Sequence, residues 1–595
     1  MNTPVTEAAN VIWTSPVVNE ALGDYGRIPA ITKACDEWSV EGVNLRHANP
    51  IAEARLSPLS FLLLWGYRKV SRFDHIEEPR ALFEHHPYVM REVIMRLMMR
   101  DTDGLPIAAR DVLEAEYMEG GACLFDVIKE AYRDLGVQIP LGNAALPVEL
   151  RDSNTPITHE EYTRLKECHP EILDEFIRVS GLPENLRAID AASVIIPQRA
   201  FEGVHAVCVQ HVLATQIPMF IAMEEHGLDP TKVEIIGVPY STNYVTQHAL
   251  DSRGYRIHTP LVVDPNDVSR AVEDALIPAL QRALERSNKD GGKILVLDDG
   301  GKATIAIHTH FQESAHRFHV VEQTSRGIRE VIALESSNGL RTRVIDVAHA
   351  WLKSHEAPKV GGEILDQCAS LMERINLSSR LEGAELAILG AGVIGLGVGR
   401  EALGRGARVT FFDPALLVDD EVRASLEAEG FVVARSKPEA LRDKALVVGC
   451  AGERTIEIAD LEHMNHQTVV ASASSRDVEI DLSVNRSSHI TSVPLLAEGP
   501  GDTRFTTRVW RLPEKDIIVL RNGFPVNFNG RLETSTFESI ELTRALMLMG
   551  SAQALAGHEP ARVALSLRWQ NELVEALGLD PHQIPNAVAR DRFKR

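Results

Sequence analysis

Leu386-Ala-Ile-Leu-Gly390-Ala-Gly392-Val-Ile-Gly395-Leu-Gly397 starts as a short apolar strand and turns through glycines into a helical stretch that continues to Leu403. A second strand follows, Ala407-Arg-Val-Thr-Phe-Phe, and ends on an acid, Asp413. Strand, glycine turn, helix, strand and acid in this order form the dinucleotide-binding fingerprint. Gly390 makes the tight turn, Gly392 lets the backbone approach a pyrophosphate, and Gly395 lets helix and strand pack closely. Val393 and Ile394 open the helix, where amide donors and the positive end of the dipole favour phosphate. An acid at position 413 can accept hydrogen bonds from both ribose hydroxyls, which favours NAD over NADP.

Outward from this unit, the texture divides the chain. Residues 1–185 read as mostly helical and carry no catalytic signature. The run from Pro87 to Met99 spaces its apolar residues as a helix face, with methionines filling a core, and Thr158 with Glu161 reads as a capping box. From about Ala188, short apolar runs alternate with helical patterns. Val233-Glu-Ile-Ile and Ile294-Leu-Val-Leu read as buried strands, and Asp267 to Arg286 as an amphipathic helix between them. This alternation predicts an α/β fold with parallel sheets. The expected organisation is a helical region over 1–185, a substrate domain over 186–375, an inserted Rossmann-type domain over 376–530, and a return to the substrate domain over 531–595.

The chain has 595 residues, with 62 Lys+Arg against 84 Asp+Glu, a net charge of −22. That balance argues against a general nucleic-acid or anionic-membrane binder, since both need excess cations. Six scattered cysteines without a CxxC pair suit a reducing compartment, and no signal peptide or membrane span is read. The expectation is a cytoplasmic protein acting on a small molecule. His308, His310, His316 and His319 fit no common zinc signature, so no metal is expected and a polar loop is read there.

Several further motifs occur in a fixed order: Ile294-Leu-Val-Leu-Asp-Asp-Gly-Gly, Glu322-Gln-Thr-Ser-Arg-Gly, Leu352-Lys-Ser, Asp477-Val-Glu-Ile-Asp481, and Ile518-Val-Leu-Arg-Asn-Gly followed by Val526-Asn527. With the glycine turn, they make roughly Gly203 to Leu555 resemble S-adenosylhomocysteine hydrolase. The resemblance implies tightly held NAD that transiently oxidises a substrate hydroxyl, followed by elimination, addition of water and return of the hydride. It implies that Lys353 assists the oxidation and that His211 and Asp299 move protons. It also places Thr324 and Asn527 at the cofactor, and implies a homo-oligomer.

The departures from that family cluster where the nucleoside would lie. The family's acid four residues past the lysine is Ala357, followed by Pro358, and the glutamate before the threonine run is Gln323. The third threonine is Arg326. Leu213, Thr215, Ser475 and Thr534 also replace family polar groups, and the C-terminal lysine-tyrosine tail is not recognisable in 586–595. Loss of matched polar contacts changes selectivity steeply, so poor activity on S-adenosylhomocysteine itself is expected. Gln323 and Arg326 become substrate-binding candidates, the arginine fork suiting a carboxylate or phosphate.

Each catalytic candidate has a plainer alternative: a structural helix histidine for His211, a turn aspartate for Asp299, a solvated lysine for Lys353. His355 and Glu356 are neighbours that could replace the lost acid. The functional expectation is an NAD-dependent enzyme, hydrolase or oxidoreductase in type, acting on a nucleoside-like or sugar-like substrate. The alternative is a catalytically silent NAD-binding relative that binds a partner protein.

Overall fold

The computed structural model describes residues 157–580, apart from 169, 263, 376, 475–477, 484–489, 496–504 and 532–536. The Pro87–Met99 helix, Ser475, Thr534 and the tail over 586–595 lie outside the described residues. Thr158 and Glu161 form the expected capping box: the Glu161 amide donates to Thr158 Oγ1 at 3.1 Å and the Thr158 amide to Glu161 Oε2 at 2.7 Å. The helix it opens covers His159–Cys168, and Pro170–Val179 is helical as well.

The first strands are β1 (His205–Gln210), β2 (Val233–Gly237), β3 (Arg256–His258), β4 (Ile294–Asp298), β5 (Phe318–Glu322) and β6 (Arg343–Asp346). Next come β7 (Glu385–Leu389), β8 (Arg408–Phe412), β9 (Val432–Val433), β10 (Leu446–Gly449) and β11 (Val469–Ser472). The series ends with β12 (Thr491–Pro494), β13 (Arg508–Arg511), β14 (Asp516–Val519) and β15 (Ala561–Ala564). They build two sheets, and the architecture is α/β.

The seven-stranded sheet has the order β15-β6-β5-β4-β1-β2-β3 and is parallel throughout. Cys208 at its centre pairs with Ile235 on one side and Leu297 on the other. β1, β2, β4 and β5 are buried along their whole length, as expected for parallel strands covered on both faces. Alternate residues feed two cores. Val207 and Val209 meet Val272 and Leu276 of the helix Val268–Asp290, while Ala206 and Cys208 join the core that holds Leu546 and Met549 of the helix Glu541–Ala556.

The eight-stranded sheet has the order β12-β13-β14-β11-β10-β7-β8-β9, parallel except for β12 and β13 at one edge. The helix Val393–Gly404 leads from β7 to β8. It packs on the helix Ala357–Arg374 through glycines: a Cβ on Gly397 would overlap the Ala357 carbonyl, and one on Gly361 would overlap Gly397. The winding reverses between β1 and β4 in one sheet and between β7 and β10 in the other. Ligands collect beyond the carboxyl ends of strands at such points. Among the described residues, no helix is long and apolar enough to cross a membrane.

Candidate functional site

At the first reversal, β1 delivers His211 and β4 delivers Asp299 to the same sheet edge. His211 Nε2 lies 3.5 Å from Asp299 Oδ2, both side chains being almost fully buried. His211 therefore follows a strand and does not sit on a helix. Its ring stacks on Phe528, with centroids 4.4 Å apart, and its Nδ1 is 2.6 Å from Ser241 Oγ. The Ser241 hydroxyl donates its single hydrogen to the Val238 carbonyl, so Nδ1 carries the proton and Oγ accepts it. Nε2 is then the nitrogen left to gain or lose a proton, and it is the one facing Asp299.

The two aspartates of the Asp-Asp-Gly-Gly turn divide the work. Asp298 takes the structural role, accepting from the amides of Ala303 and Thr304 and from the Thr304 hydroxyl at the start of the next helix. Asp299 is left for the cavity, where its Oδ2 accepts from Gln323 Nε2 at 2.6 Å. Gln323 follows β5, and its carbonyl accepts a short hydrogen bond from Lys353 Nζ. Lys353 is thus part of this cluster and not a solvated lysine. Burial lowers its pKa, while Glu356, Asp299 and Glu322 act in the opposite sense.

Thr324 lines the cavity, but its hydroxyl is engaged by the protein. It donates to Glu322 Oε1 at 2.6 Å and accepts from the amides of Gly300 and Gly327 at 3.0 Å each. Glu322 also accepts from Gly301 at 2.8 Å, so the β4 and β5 turns are tied to one buried carboxyl. Arg326, half-buried, lines the cavity as well. His308 and His310 do not: they end the helix Lys302–His310, where a polar loop was expected, and His308 Nδ1 bonds the Thr304 carbonyl.

On the other sheet, Gly390 adopts φ +107 directly against the backbone of Cys450 and Ala451, a conformation and clearance suited to glycine. A Cβ on Gly395 would overlap the Gly390 carbonyl oxygen. Gly392 differs: its φ is −72 and a Cβ there would meet nothing within 4 Å. The protein's own packing makes no use of that glycine, and the space beside it opens on the cavity. Asp413 ends β8 and turns back to the glycine loop, its Oδ2 accepting from the Ala391 amide at 2.8 Å. Asn527, 5% exposed, lines the cavity with a buried Oδ1 that has no hydrogen-bond partner among the described residues.

One cavity of about 980 Å³ joins these two sets. His211, Asp299, Gln323 and Lys353 line one part, and Gly390, Gly392, Val393, Ile394, Asp413 and Asn527 another.

Three lining groups were not among the main candidates. Glu356 is buried, accepts from the Thr543 amide at 3.0 Å and the Thr543 hydroxyl at 2.5 Å, and burial pushes its carboxyl up to about 7. Glu356 lines the cavity beside Lys353, whereas His355 does not. His349 donates from Nδ1 to Asp346 Oδ2 at 2.9 Å, an oriented histidine at the end of β6. Arg544 sits in the apolar helix Glu541–Ala556 at 4% exposure. A lone cation inside Leu542-Thr-Arg-Ala-Leu-Met-Leu-Met is the signal that would have found it.

No family model matches the chain. Among curated proteins, an uncharacterized protein of Mycobacterium tuberculosis is 24% identical over 359 residues, covering 59% of this chain and 64% of that protein. The match thus spans less than two thirds of that relative's length. Adenosylhomocysteinase of Thermotoga maritima is 27% identical over 354 residues, covering 58% of this chain and 79% of that one. Over part of its length, the chain shows distant homology to adenosylhomocysteinases. S-inosyl-L-homocysteine hydrolase of Methanopyrus kandleri is 28% identical over 192 residues, 31% of this chain and 43% of that enzyme. Among solved structures, the transhydrogenase of Sinorhizobium meliloti aligns over 61% of this chain and 98% of its own, at 13% identity and a TM-score of 0.30, too distant to carry an argument.

Proposed function

We propose that the chain is an NAD-dependent, adenosylhomocysteinase-like enzyme that transiently oxidises a hydroxyl of a nucleoside-like or sugar-like substrate. The observation that carries this reading is the single cavity shared by the glycine turn and the His211–Asp299–Gln323–Lys353 cluster. In this reading residues 186–375 and 531–595 form the substrate half and 376–530 the nucleotide half.

The residues present fit a dinucleotide. The unused space at Gly392 accommodates a pyrophosphate against the amides of Val393 and Ile394. The Asp413 carboxylate would face the ribose hydroxyls and repel a 2′-phosphate. The orphaned Oδ1 of Asn527 is an acceptor suited to a carboxamide N–H. Bound there, the nicotinamide would supply the hydride acceptor.

The chain's own groups then handle protons. Lys353, its pKa lowered by burial, takes the hydroxyl proton, and the Gln323 carbonyl holds Nζ in place. The His211 Nε2 and Asp299 Oδ2 atoms hold a proton between them that can pass to or from a carbon beside the oxidised centre. Similarity to adenosylhomocysteinase and S-inosyl-L-homocysteine hydrolase supports a thioether nucleoside as the first substrate class to try. The test is to load the full chain with NAD⁺, add candidate nucleosides and sugars, and follow absorbance of reduced cofactor. Transient reduction is expected; NAD⁺ that binds and is never reduced would favour the silent, partner-binding relative.

A further inference from the structure

Arg544 enters the cavity from the helix Glu541–Ala556 and is 4% exposed. Its Nη1 donates to Gln210 Oε1 and its Nε to Thr215 Oγ1, both at 3.3 Å and both to neutral acceptors. Nη2 makes no hydrogen bond among the described residues, and no carboxylate of those residues lies within ion-pair distance of the guanidinium. Removing a cation from water costs several kcal/mol, which a protein recovers only with a close opposite charge. Gln210 does not supply one, being a neutral amide already bonded to Gln216 Nε2 at 2.7 Å.

The surroundings do not make up the difference. Glu356, pushed up to about 7, carries only part of a negative charge at neutral pH, and both its oxygens are turned to Thr543. Asp299 is held by Gln323 and faces His211. Lys353 lines the same cavity and brings no counter-charge. The Arg544 guanidinium, unanswered by any close carboxylate of the described residues, leaves room for one more negative group.

We propose that Arg544 anchors an anionic oxygen group of the substrate, a carboxylate or a phosphate, at the inner end of this cavity. The assignment names the substrate class for the reading given above and rests on it for the reaction, though not for the anion site itself. The planar fork still has N–H donors to spare, which suits two-point contact with an oxyanion. Position 215, where the resemblance expects a family acid, holds a threonine hydroxyl that accepts from this arginine, so the internal counter-charge has been removed where the guanidinium now lies.

The experiment titrates the full chain with oxalate and, separately, inorganic phosphate by calorimetry, with and without NADH. The parent chain is expected to bind at least one of them, and the one preferred distinguishes carboxylate from phosphate. Arg544→Gln is expected to weaken that binding at least tenfold while NADH, followed by its fluorescence, binds as before. Because loss of a buried cation could prevent folding, Gln210→Glu provides an independent arm. It leaves Arg544 in place, sets a carboxylate against Nη1 and is expected to abolish anion binding by occupying the guanidinium. Undiminished anion affinity in Gln210→Glu, or no anion binding by the parent chain, would overturn the proposal. Failure of NADH to bind would instead remove the cofactor reading and leave the anion titration interpretable.

Discussion

The imidazole of His211 and the carboxylate of Asp299 meet at 3.5 Å across the one place where the seven-stranded sheet reverses its winding. Neither residue has freedom to turn away: Ser241 and Phe528 hold the ring, and Gln323 holds the carboxylate. Asp299→Asn keeps the shape but removes the carboxylate that faces Nε2. The expected result is a loss of turnover on the order of 10²–10⁴-fold with NADH affinity unchanged, read by single-turnover absorbance. Equal turnover in the variant would remove Asp299 from the chemistry.

Gln323→Glu would bring a second carboxyl against Asp299 Oδ2, where the amide now donates at 2.6 Å. Two carboxylates at such a distance cannot both ionise easily, so one holds a proton until the pH is well above the usual range. The variant should work at acidic pH and lose its rate on the alkaline side, where the parent does not. Superimposable pH–rate profiles would contradict this account of the contact.

Alanine at Gly392 and at Gly395 should separate two roles for glycine. At 392 the added methyl enters open space, so stability should change by less than about 0.5 kcal/mol. Dinucleotide affinity should nevertheless fall by roughly tenfold if the proposed pyrophosphate site is correct, since the methyl would occupy it. At 395 it overlaps the Gly390 carbonyl, and destabilisation of about 1–3 kcal/mol is expected. Thermal denaturation and NADH fluorescence on the same samples make the comparison.

Glu356 provides a pH signature in stability. Its carboxyl rises from 4.5 to about 7 on folding because it is buried. The folded value lies above the unfolded one, so the folded chain holds the proton more tightly between them. The stability linked to this group is full below about pH 4.5 and is lost as pH rises through 7, by about 3 kcal/mol. Glu356→Gln should therefore gain stability relative to the parent from pH 4.5 to 8. Urea midpoints at the two ends test it, and parallel profiles would rule it out.

The architecture around the glycine turn was legible because its signals are local: a strand of four apolar residues, a glycine turn at fixed spacing, a helix and an acid. The place of Asp299 at the cavity, just past β4, was legible, but the different contacts of Asp298 were not. Both are aspartates in one turn, and only the position of the next helix decides which caps it. Arg544 was hidden, and Glu356 was marked only by its place beside Lys353, for a different reason. Their meaning depends on contacts with Thr543, Gln210 and Thr215, which come from distant parts of the chain and leave no periodicity in sequence. His308 and His310 misled because clustered histidines look alike in a loop and in the last turn of a helix.

Glu356 and Ala357 are neighbours in the chain yet are moored to different bodies. The first is bonded to Thr543, on the helix that covers the seven-stranded sheet, and the second lies against Gly397, on the helix that follows the glycine turn. The peptide link between them therefore ties the two sheets together only three residues from Lys353. Any strain placed on one sheet would be passed along this link to the lysine.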